Sequence, residues 1–325
     1  MALSVDQARP FFEYAREREA IRIRREVEGL PRPWTKDEIL NTYKFCNIYR
    51  EDDATTRWFR THVRDRLSGT PEVILATVLF RWFNRASTGD AVFRQIGDYN
   101  REGGPIRTAF EQYLHDGRIE SIHSAIKTFC GNGPYVTGSY IIKSPDGMNK
   151  LDGVLESVDA FNCNRQLVQH IPRGWAPQKD EMGWRQLGER ILSGASTISL
   201  EQFWSWLKKF AFMGTFTSYE VVTDLRHTNI LRSAPDIMTW ANAGPGAVRG
   251  LNRIHRRKLT QGANSYSAVC EMRELLEMAN GPFLHVWPTR EGQPTEMRDI
   301  EHTLCEFDKY ERARLGEGRP RGTLK

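Results

Sequence analysis

Two carboxylates near the end of the chain are spaced so that they could do chemistry together. Glu301, Cys305 and Asp308 fall at positions i, i+4 and i+7 of a predicted helix, beside an apolar stripe that begins at Met297. A pair of carboxylates on one helical face can act as a general base and as a binding group for an ammonium ion. The same spacing is equally compatible with structural ion pairs to arginines.

A second dense group of polar side chains lies between two predicted helices near residue 50. Asp52 or Asp53 could cap the helix that follows, because the first turn of a helix favours carboxylates. Capping does not explain why so many other polar groups crowd the same turn, whereas an active-site or phosphate-binding corner does. The candidate substrate- and phosphate-binding residues here are Asn47, Arg50, Glu51, Asp52 and Arg57.

A glycine- and proline-rich loop at 242–246 leads into a strongly basic stretch. We predict a helix over 246–258 whose N-terminus and cationic side chains bind DNA phosphates. A solvated basic helix face is the alternative. The candidate DNA-binding residues are Arg249, Arg253, Arg256, Arg257 and Lys258, and Asn252 lies among them as a candidate for substrate binding.

The segment 210–220 resembles the helix–hairpin–helix of DNA-repair glycosylases, in which a glycine-containing hairpin offers backbone N–H groups to a phosphate. Gly214, Thr215 and Thr217 are its candidate DNA-binding residues, although Phe212 occupies the place of the first glycine. Phe216 stands where some glycosylases have a nucleophilic lysine, which excludes a Schiff-base mechanism at that position. Asp236 lies about where the glycosylases have their catalytic aspartate, and a turn aspartate after a proline is the alternative.

The elements that must position these residues are predicted to be helices. The predicted helices span 9–27, 35–45, 53–67, 71–83, 89–99, 104–115, 118–130, 155–171, 203–210, 215–225, 246–258, 263–279 and 295–312. Irregular stretches are predicted at 131–153, with a possible hairpin at 135–143, and at 172–184, and a frayed tail at 316–325. We therefore expect an all-α protein with an N-terminal lobe at 1–153 and a C-terminal lobe at 154–325, which together form one integrated catalytic unit.

Composition narrows the class of protein. The 325 residues carry a net charge of +5, with 35 arginines and 11 lysines, which suits bidentate phosphate contacts but also follows from a GC-rich genome. The five scattered cysteines form no zinc or disulfide pattern, and we expect no metal and no cofactor. No GxxxxGK[ST], GxGxxG, HExxH or GxSxG motif occurs, which disfavours a P-loop kinase. No apolar stretch is long enough for a membrane span and no leader is recognisable, so we expect a cytoplasmic protein without membrane contact.

Taken together, these segments resemble the alpha-glutamyl/putrescinyl-thymine pyrophosphorylases of bacteriophage DNA hypermodification, and they are similar to the helical domain of 5-hydroxymethyldeoxyuridine DNA kinases. The segments that carry the resemblance are CNIYREDDATTRWFR (46–60), FMGTFTSYEVVTDLRHT (212–228), APDIMTWANAGPGAVRGLNR (234–253) and DIEHTLCEFDKYER (299–312). The resemblance implies a two-lobed, DNA-glycosylase-like helical fold and a reaction on double-stranded DNA.

The implied reaction replaces the phosphate or pyrophosphate of phosphorylated 5-hydroxymethyluracil with an amine from an amino acid, such as glycine, or from a polyamine. A 5-hydroxymethyluracil DNA kinase is the implied functional partner, and the infected bacterial host is the implied location. The arginines would stabilise the departing phosphate, and Trp240 or Trp58 would stack on a flipped base. The candidate catalytic residues are Asp236, Glu301, His302 and Asp308. A DNA glycosylase and a non-catalytic DNA-binding module stay open as alternatives.

Overall fold

The regular secondary structure of the described residues is helical. A computed structural model describes residues 3–94, 108–139, 141–164, 182–262, 264–281, 287–288, 290 and 293–324. These residues form α-helices and short π- and 3-10-helical segments, and they contain no β-strand. The predicted all-α class is therefore confirmed. The described parts of the hairpin predicted at 135–143 contain no strand pairing.

The chain divides into two compact units. One, the terminal unit, joins Met1–Asp53 to Asp236–Lys325, and the other, the central unit, is the continuous segment Ala54–Pro235. These units do not coincide with the lobes predicted at 1–153 and 154–325. The irregular stretches on which that boundary was based lie inside the central unit, so a change in local composition does not mark the division between the units.

The terminal unit is built on its first and last helices. Its helices are α1 (Val5–Arg22, continued by a π-helical segment Ile23–Val27), α2 (Glu38–Thr42), α13 (Pro245–Ile254), α14 (Ser265–Asn280) and α15 (Met297–Arg314), with a 3-10 turn at Arg50–Asp52. Phe11 and Tyr14 of α1 pack against Phe307 of α15, with ring centroids 5.8 and 5.9 Å apart. The apolar stripe predicted from Met297 onward is thus a buried face, as the periodicity indicates.

Two glycines allow α13 to lie very close to α15. A Cβ atom at Gly250 would stand 2.5 Å from the carbonyl oxygen of Leu304, and one at Gly246 would collide with the Cys305 side chain. The neighbour of Gly250 is backbone, which cannot rotate away as a flexible side chain can. The small residues in the basic segment therefore set the distance between two helices.

Gly250→Ala is expected to destabilise the protein by about 1–3 kcal/mol, because the added methyl group overpacks the α13–α15 contact. This loss must exceed the gain of about 1 kcal/mol that alanine has over glycine in a helix. Urea unfolding monitored by circular dichroism measures the change. Gly262→Ala is the control, since nothing lies within 4 Å of a Cβ atom there. An unchanged or increased unfolding free energy for Gly250→Ala would contradict the close-packing interpretation.

The central unit surrounds one strongly apolar helix. Its helices are α3 (Ala54–Phe59), α4 (Asp65–Leu67), α5 (Glu72–Phe83), α6 (Ala86–Phe93), α7 (Ala109–Asp116), α8 (Glu120–Cys130), α9 (Lys150–Asn162), α10 (Trp184–Leu192), α11 (Leu200–Leu207) and α12 (Thr215–Leu225). A π-helical segment Arg60–Arg64 links α3 to α4. Every residue of α5 after Glu72 is buried, so the helix predicted at 71–83 is observed and forms the core of this unit.

Several predicted elements differ from the observed ones. Helix α10 lies partly in a stretch predicted to be irregular, and α13 ends at Ile254 rather than 258, so Arg256 to Lys258 follow the helix instead of belonging to it. The tail predicted to fray is held by backbone hydrogen bonds from Lys44 to Gly322 and from Leu324 to Thr42, both 2.9 Å long. The parts of the predictions that fall on 95–107, 165–181 and 282–286 lie outside the described residues.

Helix length and hydropathy argue against a bilayer span in the portion of the chain that the structure describes. None of its helices is both long and apolar enough to cross a membrane.

Candidate functional site

The segment between α2 and the 3-10 turn is held in place by α1. Arg18, buried on α1, donates hydrogen bonds to the backbone carbonyls of Phe45 and Cys46, at 3.2 and 3.1 Å, and to Oδ1 of Asn47 at 2.9 Å. Asn47 in turn donates its amide group to the carbonyl of Asp52 and its backbone N–H to Asp53. The predicted binding residue Asn47 therefore forms the loop itself, and its side chain is buried.

Asp52 belongs to a network of ion pairs. Arg290 contacts both Asp52 and Glu19, and Nε of Arg22 lies 3.3 Å from Oδ2 of Asp52. The carboxylate predicted to bind substrate or phosphate is thus engaged by two arginines. Arg50 and Glu51, in the same 3-10 turn, are partly exposed.

The terminal unit brings together side chains from two segments that are distant in sequence. The sulfur of Cys46, a carboxylate oxygen of Asp53 and a ring nitrogen of His302 all lie within 4.8 Å of one another. We call these residues the Cys–Asp–His cluster. The backbone N–H of Cys46 donates to Oε2 of Glu306 at 2.8 Å, and Lys309 binds the same carboxylate at 2.7 Å. Segments 46–53 and 302–309 therefore meet within the terminal unit.

Burial changes the acidity of groups in and near this cluster. It raises the pKa of the Cys46 thiol well above the ordinary value, and the neighbouring Glu306 and Asp53 carboxylates add to the effect. Burial likewise raises the pKa of Asp53 to about 6, against the opposing hydrogen bond from Asn47. The donor set of one sulfur, one oxygen and one nitrogen is of the kind that can hold a divalent transition metal.

Helix α15 also carries the predicted catalytic carboxylates, and the structure gives them different surroundings. Oε1 of Glu301 lies 3.4 Å from the backbone N–H of Gly244, at the start of α13. Asp308 is 1% exposed, and its carboxylate accepts hydrogen bonds from Nε of Arg249 at 2.8 Å and from Nε of Arg253 at 2.9 Å. Asp308 therefore joins α13 to α15 through two ion pairs, which is the structural alternative that the spacing left open.

The predicted basic surface is only partly available to a ligand. Arg253 also binds Glu317, and Arg257 binds Glu271 through two hydrogen bonds of 2.7 and 2.6 Å. The buried amide of Asn252 donates to the carbonyl of Gln261 at 2.9 Å, which closes the turn after α13. Arg256 and Lys258 are exposed.

Asp236 belongs to the terminal unit and lies in a turn. Its side chain is partly buried, and its backbone carbonyl accepts the N–H groups of Thr239 and Trp240 at 3.0 and 2.8 Å. Trp240 is 8% exposed, so most of its ring is already covered in the folded chain.

The segment resembling a helix–hairpin–helix lies in the central unit between α11 and α12. Phe212 has a φ of 61°, in the left-handed region that favours glycine, and Gly214 is the N-cap of α12. Gly214, Thr215 and Phe216 are exposed, and Thr217 is partly exposed. The indole of Trp204 on α11 donates to the carbonyl of Thr215 at 2.9 Å, which fixes the turn.

Two further predicted residues lie in α3 of the central unit. Arg57 is partly exposed. Trp58 is stacked against Phe80 and His62, with ring centroids 5.4 and 5.1 Å away, and donates to Asp90. Its packing within the unit identifies Trp58 as a structural residue.

Sequence reasoning missed a buried charged cluster in the central unit. Arg81 on α5 binds both carboxylate oxygens of Asp224 on α12, and it also contacts Asn84 and Thr56. Glu220 and Arg64 lie 3.8 and 3.9 Å from members of this pair. Arg81 lies within an apolar run of the sequence. This position is the one sequence signal for the cluster, because a charged side chain in a buried helix needs a partner of opposite charge.

The comparisons with known proteins identify the family to which this chain belongs. The family described as "5-hmdU DNA kinase, helical domain" matches residues 6–319, and the chain belongs to this family. A 5-hmdU DNA kinase of Bacillus phage SP10 is 24% identical over 313 residues, which cover 90% of this chain and 43% of that protein. The chain thus spans less than half the length of this relative. No solved structure matches it.

Proposed function

We propose that this chain modifies thymine-derived bases in phage DNA by replacing the phosphate on phosphorylated 5-hydroxymethyluracil with an amine. The observation that carries the proposal is the family match over residues 6–319. The related protein is a kinase of 5-hydroxymethyldeoxyuridine in DNA, and such a kinase produces the phosphate ester that an amine can displace. The resemblance of four segments to the thymine pyrophosphorylases supports the displacement step.

In this reaction the bond between the C5 methylene carbon and the phosphate oxygen breaks, and a carbon–nitrogen bond forms. The amine must lose a proton, and phosphate leaves with the bonding electrons. Asp236 and Glu301 are the proposed bases, and Arg50 is proposed to stabilise the departing charge. Asp308 acts instead as a positioning residue, because Arg249 and Arg253 both bind it. The donor is an amino acid or a polyamine.

We further propose a DNA-glycosylase-like fold in which the turn before α12 binds a DNA phosphate. Supporting features are the exposed Gly214 N-cap, the left-handed backbone of Phe212, and the position of Asp236 after this turn. The same features favour a second candidate function, hydrolytic excision of a modified base. A non-catalytic DNA-binding role beside a separate kinase is a third outcome of the test. The proposed location is the cytoplasm of an infected bacterium.

The test is mass spectrometry of nucleosides after incubation of DNA with the protein and pooled amino acids and polyamines. Duplex DNA carrying 5-phosphomethyldeoxyuridine is the substrate, and the same duplex with unphosphorylated 5-hydroxymethyldeoxyuridine is the control. A new nucleoside whose mass equals that of 5-hydroxymethyldeoxyuridine plus the amine minus one water supports the proposal. A released free base supports the glycosylase, and an unchanged DNA that is nevertheless bound supports the binding module.

DNA affinity is expected to fall steeply with salt, by about 0.9 logarithmic units per logarithmic unit of salt for each phosphate neutralised. We expect the double variant Arg256→Ala, Lys258→Ala to make this slope shallower by the contribution of about two phosphate contacts. The variant should also weaken binding to all DNA sequences alike. Both side chains are exposed. Arg257→Ala is the comparison, because that side chain is already bound to Glu271. Fluorescence anisotropy at several salt concentrations measures the slopes, and a slope that the double variant does not change would exclude these residues from the DNA contact.

A further inference from the structure

We propose that the Cys–Asp–His cluster is a binding site for a divalent transition-metal cation of the zinc type. The three donor atoms, from Cys46, Asp53 and His302, already lie within 4.8 Å of one another. In a tetrahedral zinc site with metal–ligand bonds of about 2.0–2.3 Å, the ligand atoms stand about 3.5 Å apart. Inward movements of about 1 Å, within the range of side-chain rotation, would complete the site.

The donor set points to the kind of metal. Sulfur, imidazole nitrogen and carboxylate oxygen together suit zinc and similar cations, whereas calcium and magnesium prefer oxygen ligands alone. Thiolate and carboxylate would neutralise the two charges of the cation, so the complete site would carry no net charge. Glu306 and Lys309, which border the cluster, form an ion pair with each other and leave this balance unchanged.

The protein scaffold fixes the backbone on both sides of the site. Arg18 binds the carbonyl of Cys46, Glu306 accepts the N–H of Cys46, and the N–H of Asn47 binds Oδ1 of Asp53. Hydrogen bonds of this kind around metal ligands hold them in orientation and typically account for about 10- to 100-fold in metal affinity. His302 is carried by the well-packed α15, so two loop ligands face one rigid helical ligand.

Three protein ligands leave a fourth coordination position open, as in catalytic rather than structural zinc sites. A cation there could bind oxygen atoms of the departing phosphate as a Lewis acid. This role rests on the proposed function, but metal binding itself does not. A competing interpretation is that Cys46 is a nucleophile assisted by His302. The carboxylates of Asp53 and Glu306 argue against it, because their negative charges beside the sulfur disfavour a thiolate when no cation is bound.

The test uses the full chain, stripped with a chelator and titrated with Zn²⁺ alone. We expect one equivalent to bind and Cys46→Ser and His302→Ala to lower the affinity by at least about 100-fold, more than loss of an outer hydrogen bond costs. Cys163→Ser, which removes an exposed thiol of the central unit, is the matched control and is expected to bind as the wild type does. Far-UV circular dichroism checks that each variant folds.

Co²⁺ loading gives a second measurement that needs no variant. A cobalt–thiolate charge-transfer band in the wild-type protein, absent after alkylation of Cys46, supports the site. The proposal would be overturned if the wild type bound neither metal. It would also be overturned if Cys46→Ser and His302→Ala bound the metal as tightly as the wild type does. Alkylation of Cys46 at the same rate with and without Zn²⁺ would also overturn it and would favour the free nucleophile. None of these outcomes depends on transferase activity. Failure of the metal-site proposal can therefore be distinguished from failure of the proposed function.

Discussion

Replacing Asp236 with asparagine is expected to lower the rate of amine transfer about 100- to 10,000-fold, the usual cost of losing a general base. The fold should persist, because the turn at Asp236 is closed by its backbone carbonyl, which accepts the N–H groups of Thr239 and Trp240. Asparagine has the same shape and the same carbonyl but cannot accept a proton at neutral pH. DNA affinity is therefore expected to be unchanged.

Single-turnover assays with phosphorylated substrate DNA measure this effect separately from binding. Asp6→Asn is the matched control, since the Asp6 side chain in the same unit is 83% exposed. A rate within about threefold of the wild type would reduce Asp236 to a turn residue, and Glu301 would then be the base to test. Loss of folding, seen by circular dichroism, would point to a structural role instead.

Asp224→Asn is expected to destabilise the central unit by about 3–5 kcal/mol, because removal of one partner leaves the buried charge of Arg81 uncompensated. Both side chains are nearly inaccessible to water, at 1% and 2% exposure. Arg94→Gln is the control: its ion pair with Asp90 is half exposed, and such pairs contribute about 0–1 kcal/mol.

Hydrogen exchange followed by mass spectrometry measures and localises this loss, which should appear as faster exchange in α5 and α12. The double variant Arg81→Met, Asp224→Leu is expected to be more stable than Asp224→Asn, because it removes both charges of the pair rather than one of them. If Asp224→Asn were as stable as Arg94→Gln, Arg81 would not depend on Asp224. Glu220 by itself would then balance the charge of Arg81.

The sequence predicted helices well where a start signal and an apolar face agree. Ser199 and Gln202 form a capping box at the start of α11, as their spacing in the sequence indicates, and Gly214 is the N-cap of α12, directly before the predicted start at 215. The predicted start of α1 at residue 9 was wrong. The helix begins four residues before Arg9 because Ser4 and Gln7 form a capping box, and Pro10 lies within the helix. In α2, Asp37 rather than Thr35 caps the helix, by accepting the N–H groups of Ile39 and Leu40.

What the sequence could not predict depends on packing between distant segments. Helix α10 was not among the predicted helices, and it is positioned where Gly188 lies against Pro71. Pairing of Arg81 with Asp224 joins positions separated by 143 residues, and no local pattern encodes such a contact. The Cys–Asp–His cluster was missed for the same reason, because its ligands have no metal-binding spacing along the chain.

The division of the chain has a consequence for its biosynthesis. Helix α1 is synthesised before the entire central unit, and its packing partner α15 is synthesised after it. At about 5–20 residues per second, the apolar side of α1, with Phe11 and Phe12, waits many seconds for its partner, whereas the uninterrupted central unit can fold meanwhile. The nascent chain therefore depends on chaperones, or on transient contacts of α1, until translation reaches α15.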